Sequence, residues 1–309
     1  MSPTGVPGPM PMLSRPRVPA ALSLLLLAVL VGACAGAAAR PSGVGSPTPV
    51  ATSGPSPSPA AGAIDHPSAA THVVLRVGEE GGFMMMEAVM SRVPRFTLYG
   101  DGRVVVSSAG QAAKGQVGVN GLPVEVLRET RLTEDELQAV LRNALVEGKV
   151  GIAKEEFPVL VMDVPTTVIE LHAGGVDRRI KAAGLSLEPQ AGPDVPVLTA
   201  LAGLVDRLVA IPTDADYVAT SSVAILAETE PAPGVTAAPW PWPDTRPAGF
   251  AKAPPEDPFG FTSHVLTPPE ADAVGVVPGG TGGPFTLEGP DRTTYLVVVR
   301  PALPDEAAR

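Results

Sequence analysis

Hairpin-forming runs, two capped amphipathic stretches and one long charge-free Pro/Ser segment predict an α+β protein. The expected architecture is an antiparallel sheet built from hairpins with two to three helices packed on one face, after a disordered N-terminal tether. The domain boundaries read as 1–33 for a leader, 34–70 for the tether and 71–309 for the α+β domain.

The elements follow in order. His72–Val77 is the first β-rich run. Arg95–Tyr99 and Arg103–Ser107 flank Gly100-Asp101-Gly102, and Asp-Gly between such runs signals a hairpin because its turn needs positive φ. Val124–Arg131 alternates and reads as a strand. Thr133 with Glu136 three residues on is a capping box, and Leu137, Val140, Leu141, Ala144 and Leu145 recur with helical period, so Thr133–Glu147 is a helix stopped at Gly148. Thr166–His172 and Asp177–Ala182 form a second hairpin across Ala173-Gly174-Gly175. Asp194 opens a helix to Val209, ended by Pro212. Tyr217–Ala227 is a further strand, and Glu230–Pro258, rich in proline, is loose. Phe261–Leu266, a short helix from Thr267 and Thr294–Arg300 complete the domain. Leu132-Thr133, Glu136, Ala139 and Val140 recur as Leu266-Thr267, Glu270, Ala273 and Val274. Either a duplication or a shared capping rule accounts for the match.

Composition excludes several functions. Of 309 residues 37 are Pro and 33 Gly, only 17% are charged, and one is Cys. One cysteine rules out an internal disulfide framework and Cys-cluster metal sites. A formal charge of −10 argues against a nucleic-acid partner, since such binding rests on neutralising phosphates. A hydrophobic fraction of 45% is enough for a packed core.

The N-terminus speaks to location. Arg15 and Arg17 precede the apolar run Ala20–Val31, about a dozen residues where a bilayer span needs roughly 20, so the run reads as a signal-peptide core. Met1, Met10 and Met12 are alternative starts. Val31-Gly32-Ala33-Cys34 resembles the lipobox of bacterial lipoproteins. That resemblance implies cleavage after Ala33 and a diacylglycerol thioether on Cys34, which would hold the chain to the extracytoplasmic face of the cell membrane. Residues 41–60 hold six Pro, five Ser, three Gly and two Thr and no charge, a composition with nothing to bury. The Tyr295–Glu306 run, with the upstream Trp-Pro segment and the Leu-Thr helix, is similar to the ends of uncharacterised actinobacterial secreted lipoproteins, which supports the compartment and implies no activity.

Catalytic signatures are mostly missing: the sequence has no Gly-x-Ser-x-Gly elbow, His-Glu-x-x-His pair or Walker loop. Gly279–Gly283 lacks the context of a phosphate loop and reads as a flexible connection. Asp214-Ala-Asp216 reads as a solvated turn rather than a calcium loop. Glu170 and His172 share one face of a strand, and with Asp163 they could form an acid–base or metal cluster; an exposed polar face explains them more simply. Met84-Met85-Met86 with Met90 could offer thioethers to a soft metal, but core filling or a deformable contact surface is the stronger expectation. Trp240 and Trp242 alternate with proline. They are either a strap packed over the sheet or an aromatic site for a peptide or sugar, and they are the ligand-binding candidates.

The reading is therefore a lipid-anchored envelope module that binds an envelope protein, peptide or glycan, with no cofactor, metal or catalytic residue assigned. The alternative is an envelope hydrolase using Asp163, Glu170 and His172.

Overall fold

A computed structural model describes residues 62–107, 126–187, 192–231, 233–252 and 259–308. The leader, Cys34 and most of the tether lie outside the described residues.

Strand β1 (Val73–Gly81) leads through a short helix α1 (Met86–Met90) to β2 (Phe96–Tyr99) and β3 (Arg103–Ser107). Then β4 (Leu127–Arg131) runs into α2 (Glu134–Arg142), whose continuation Asn143–Glu147 is π-wound. Next come β5 (Glu156–Phe157), β6 (Pro165–Ala173), β7 (Val176–Ala183), α3 (Val195–Val209) and β8 (Ala215–Asp216). The C-terminal half holds β9 (Ser222–Glu228), β10 (Ala238–Pro239), β11 (Ala251–Lys252), β12 (Thr262–Leu266), α4 (Pro268–Ala273), β13 (Gly282–Glu288), β14 (Thr294–Pro301) and α5 (Pro304–Ala307).

These strands make two sheets, where the sequence suggested one. The first runs β5-β7-β6-β1-β2-β3-β4-β8, the second β10-β13-β14-β9-β12-β11. Pairing is antiparallel except for the short edges β5–β7 and β10–β13. The β2–β3 turn depends on glycine: Gly102 has φ +81, and a Cβ there would meet the Leu132 carbonyl at 2.5 Å. The expected strand Tyr217–Ala227 begins later: Tyr217–Ser221 are not strand, Tyr217 N–H donating to the Leu127 carbonyl of β4 just after β8, and Ser222 opens β9, a central strand of the second sheet. Of Asp214-Ala-Asp216, Ala215 and Asp216 form the edge strand β8, with Asp216 paired to Arg128, and Asp214 leads into it, its N–H donating to the Glu129 carbonyl. Gly279–Gly283, expected as a flexible connection, runs into β13, which the sequence reading did not include.

Alternation assigns the faces. On β1, Leu75 and Val77 oppose Leu171 and Ile169 of β6 and Leu98 and Phe96 of β2. These side chains are buried in one cluster with Leu137 and Leu141 of α2 and Leu201, Leu204 and Leu208 of α3. Each such residue contributes roughly 1.5–3 kcal/mol by leaving water. In the second sheet, Ala224, Leu226, Val297 and Val299 face a cluster with Trp242 and Phe250, while Val223, Ile225 and Val298 face Met90 of α1 and Ala302.

The remaining face of the first sheet meets the C-terminal turn. Leu303 is buried with Tyr99, Val105 and Leu127. The Arg76 guanidinium donates to Asp305 at 2.7 Å, the Tyr99 hydroxyl donates to the same oxygen at 2.8 Å, and Arg300 grips Glu306 with bonds of 2.8 and 2.6 Å. Asp305 therefore holds the first sheet, and Glu306 holds β14 of the second.

The described end of the expected tether is also engaged. The Ile64 backbone exchanges two hydrogen bonds with the Gln138 side chain at 2.8 and 2.9 Å, and the Asp65 carbonyl accepts from Gly174. The chain thus joins the domain ahead of Thr71, because Ile64 is an apolar residue beside the α2 cluster that composition alone left inside a polar stretch.

The two capping-box units differ in wiring. After α2, it is the first strand of the following hairpin, β6, that joins the central strand β1. After α4 it is the second, β14, that joins β9. A shared capping rule accounts for the sequence match without a common topology.

Candidate functional site

The C-terminal sheet carries a polar hub under an aromatic strap. Thr267 precedes α4, and Glu270 reaches back to accept from the Thr267 N–H and hydroxyl, each at 2.8 Å. The same carboxylate accepts from the Thr245 hydroxyl at 2.6 Å and lies 3.2 Å from His264 Nε2. Burial alone would raise its pKa, but the bonds from Thr245, Thr267 and His264 outweigh burial and bring it down to about 2. Glu270 is an anion locked in place.

That hub fixes the tryptophans. Trp242 is 2% exposed and its indole N–H donates to the Glu270 carbonyl at 2.9 Å. Trp240 donates to the Thr245 carbonyl at 2.7 Å and meets Trp242 edge-on, with ring centres 5.0 Å apart. Trp240 also leans on Phe250 and Tyr295, at 6.1 and 5.8 Å. The proline-flanked pair is a packed strap in this structure, with both polar tips satisfied.

On the far side of Phe250 and Tyr295 lies an open groove of about 520 Å³. Its walls are Phe250, Phe259, Phe261 and Tyr295, and Phe259 and Phe261 stack at 5.2 Å and 8°. Lys252, Glu228, Asp291 and Thr262 supply polar edges, and the Tyr295 hydroxyl donates to Asp291 at 3.2 Å. Trp240 props two of these walls from behind. The groove itself escaped the sequence reading. The available signal was Phe259-Gly260-Phe261, two aromatics at strand spacing in a chain with only seven Phe.

The other candidates are dispersed. Glu170 pairs with Arg179 Nε at 3.1 Å, and His172 pairs with Asp177 at 2.9 Å. Asp163 sits in a loop at φ +62, its carbonyl accepting from Phe83 N–H. These three residues answer to separate partners and build no common site. Among the described residues no group of three or more His, Cys, Asp and Glu is placed to hold a metal ion. Met90 is buried against the second sheet while Met84, Met85 and Met86 are exposed, so the four thioethers point to different surroundings. Cys34 lies outside the described residues.

A groove with aromatic walls and charged edges of both signs suits a ligand with an apolar face and polar rim. No family model, no curated protein and no solved structure matches the chain.

Proposed function

We propose that this is a lipid-anchored extracytoplasmic lipoprotein of the cell envelope whose folded domain is a binding module. The anchor is a diacylglycerol on Cys34, the only cysteine of the chain and the last residue of Val31-Gly32-Ala33-Cys34. Removing Arg15 and Arg17 with the leader makes the mature chain two charges more negative, so acyl burial rather than attraction to anionic lipid holds it. In this reading the hairpin-built first sheet, with α2 and α3 on one face, is a rigid platform for the second sheet. One observation carries the binding half: the open groove walled by Phe250, Phe259, Phe261 and Tyr295, with Lys252 at its edge. The separate partners of Asp163, Glu170 and His172 favour binding over hydrolysis.

The test is a thermal-shift screen of the mature chain against envelope peptides and glycan fragments, since a ligand selective for the folded state raises its melting temperature. The expected result is a saturable rise that Phe261→Ala and Lys252→Ala each reduce; Lys252, exposed, leaves the unliganded melting temperature little changed, while Phe261 packs on the Met90 cluster and its loss lowers that temperature too. A rise indifferent to both variants would place binding elsewhere. Labelling with radioactive palmitate, present in the native chain and lost in Cys34→Ser, checks the anchor.

A further inference from the structure

The groove of the second sheet is edged by charges that the chain itself does not neutralise. Lys252 of β11, Thr262 of β12 and Leu226 of β9 form one row across the sheet, and Glu228 lies two residues on from Leu226, on the same face. Two strand spacings and two residue rises put the Lys252 and Glu228 backbones about 12 Å apart. Glu228 is the register partner of Tyr295, whose hydroxyl donates to Asp291 at 3.2 Å. Burial and the charges of Asp291 and Glu228 raise the Tyr295 pKa, so both carboxylates act at this ring. The Thr293 N–H, at 3.0 Å, holds Asp291 below the usual carboxylate range. All three charged side chains line the groove, and among the described residues none of them belongs to an ion pair. Arg292 follows Asp291 in the chain but lines no part of the groove.

We infer that the groove takes a short extended peptide, with its ammonium group at Glu228 and Asp291 and its carboxylate on Lys252; this rests on the binding reading above and names its ligand. Charge complementarity selects that occupant. The Tyr295 end of the groove carries two carboxylates, the β11 end carries one ammonium, and the rest of the lining is largely aromatic. An uncharged glycan could cover the rings, but it would displace water from three charges and offer them no partner. A peptide ammonium answers the two carboxylates and is attracted to the ring faces as well. An extended chain rises about 3.4 Å per residue, so four residues carry opposite terminal charges roughly 12 Å apart. Apolar side chains along such a peptide then meet Phe250 and Phe261.

The test is titration calorimetry of the whole chain, as purified from its host, with the tetrapeptide Ala-Phe-Phe-Ala in four forms: free at both ends, N-acetylated, C-amidated and blocked at both. The free form should bind; acetylation should weaken it about tenfold and amidation about fivefold, the range for losing partly solvated charge contacts. Glu228→Gln should shrink the penalty for acetylation and leave that for amidation, and Lys252→Met should do the reverse. Both side chains are exposed, so the melting temperature should hold in each variant. Added salt should weaken the free peptide and leave the doubly blocked one unchanged. Equal affinity for the free and doubly blocked forms overturns the inference, as does saturation by the neutral glycan chitotriose where no peptide binds. In both cases sensitivity to Phe261→Ala keeps the binding reading. If no tetrapeptide binds, the inference fails, and the binding reading falls with it only when chitotriose and the wider thermal-shift screen are silent too.

Discussion

Arg300 is buried, and its charge is tolerable only because Glu306 receives two of its N–H groups. Burial would raise the Glu306 pKa, but Arg300, with help from the Leu303 N–H, brings it down to about 2. The folded carboxylate therefore holds its proton less tightly than the unfolded one, whose value is near 4.5. The associated stability is fully present above pH 4.5 and is lost as pH falls toward 2. Glu270 shifts in the same sense, to about 2, and adds to the same acid window. Denaturant unfolding between pH 6 and 2.5 should show this slope. Glu306→Gln should flatten it and cost about 3–5 kcal/mol at neutral pH, because Arg300 is then buried beside a neutral amide. Replacing both partners, as Arg300→Met with Glu306→Leu, should recover most of that loss. A double variant as unstable as the single one would show that the pair does more than neutralise itself.

Elements differ in how much of them was legible, and α2 shows both sides. Its start is a local matter: Thr133 and Glu136 are three residues apart and satisfy each other's backbone, so the signal is contained in four residues. Its end is not. The helix widens to π winding over Asn143–Glu147, and Gly148 N–H donates to the Asn143 carbonyl at 2.7 Å. The turn is closed from outside: a Cβ on Gly148 would lie 2.7 Å from the Cδ2 of Leu204 in α3 and 2.9 Å from the Ala144 carbonyl. Gly148→Ala should therefore destabilise the fold by roughly 1–3 kcal/mol, the range for overpacking a closed site. Leu204→Ala in the same chain should make the glycine substitution less costly, and a double-mutant cycle measures that coupling. Simple additivity would contradict the contact. Strand β13 was missed for a related reason: two glycines and a proline open it, and only pairing with β14 makes Gly282–Glu288 a strand. The groove shares this fate, because Phe250, Phe261 and Tyr295 come from three separate segments that converge only once the second sheet is formed.

At the scale of the molecule, the mixed strand-and-helix class was legible from local periodicity, but the division into two sheets was not. Alternation says which side chains share a face; it does not say which strand is the neighbour. Tyr217–Ala227 reads as one strand, yet its neighbourhood passes from one sheet to the other, and Tyr217 stays with the first by packing near Tyr99 while its hydroxyl donates to the Ala302 carbonyl at 2.8 Å. The two sheets are then joined by residues distant in sequence: Met90 against Ile225 and Val298, Leu303 against Tyr99 and Val105, and Asp305 and Glu306 on arginines of opposite sheets. The C-terminal turn is short, but it closes the apolar surfaces that face each other. Ending the chain at Pro301 removes Ala302 and Leu303, each 1% exposed, and leaves the half-buried Arg76 and the buried Arg300 without their carboxylates. Calorimetry of the full chain should give one cooperative transition, since neither sheet can shed its neighbour without exposing this interface. The truncated chain should melt lower, split into two transitions or lose the second sheet first, and bind a dye that reports exposed apolar surface. Hydrogen exchange would identify which sheet opens, with β9 and β14 expected to lose protection ahead of β1 and β6 because they have fewer strands and helices around them. A truncated chain that kept a single transition at the original temperature would mean that Met90 and the strands hold the sheets together without the turn.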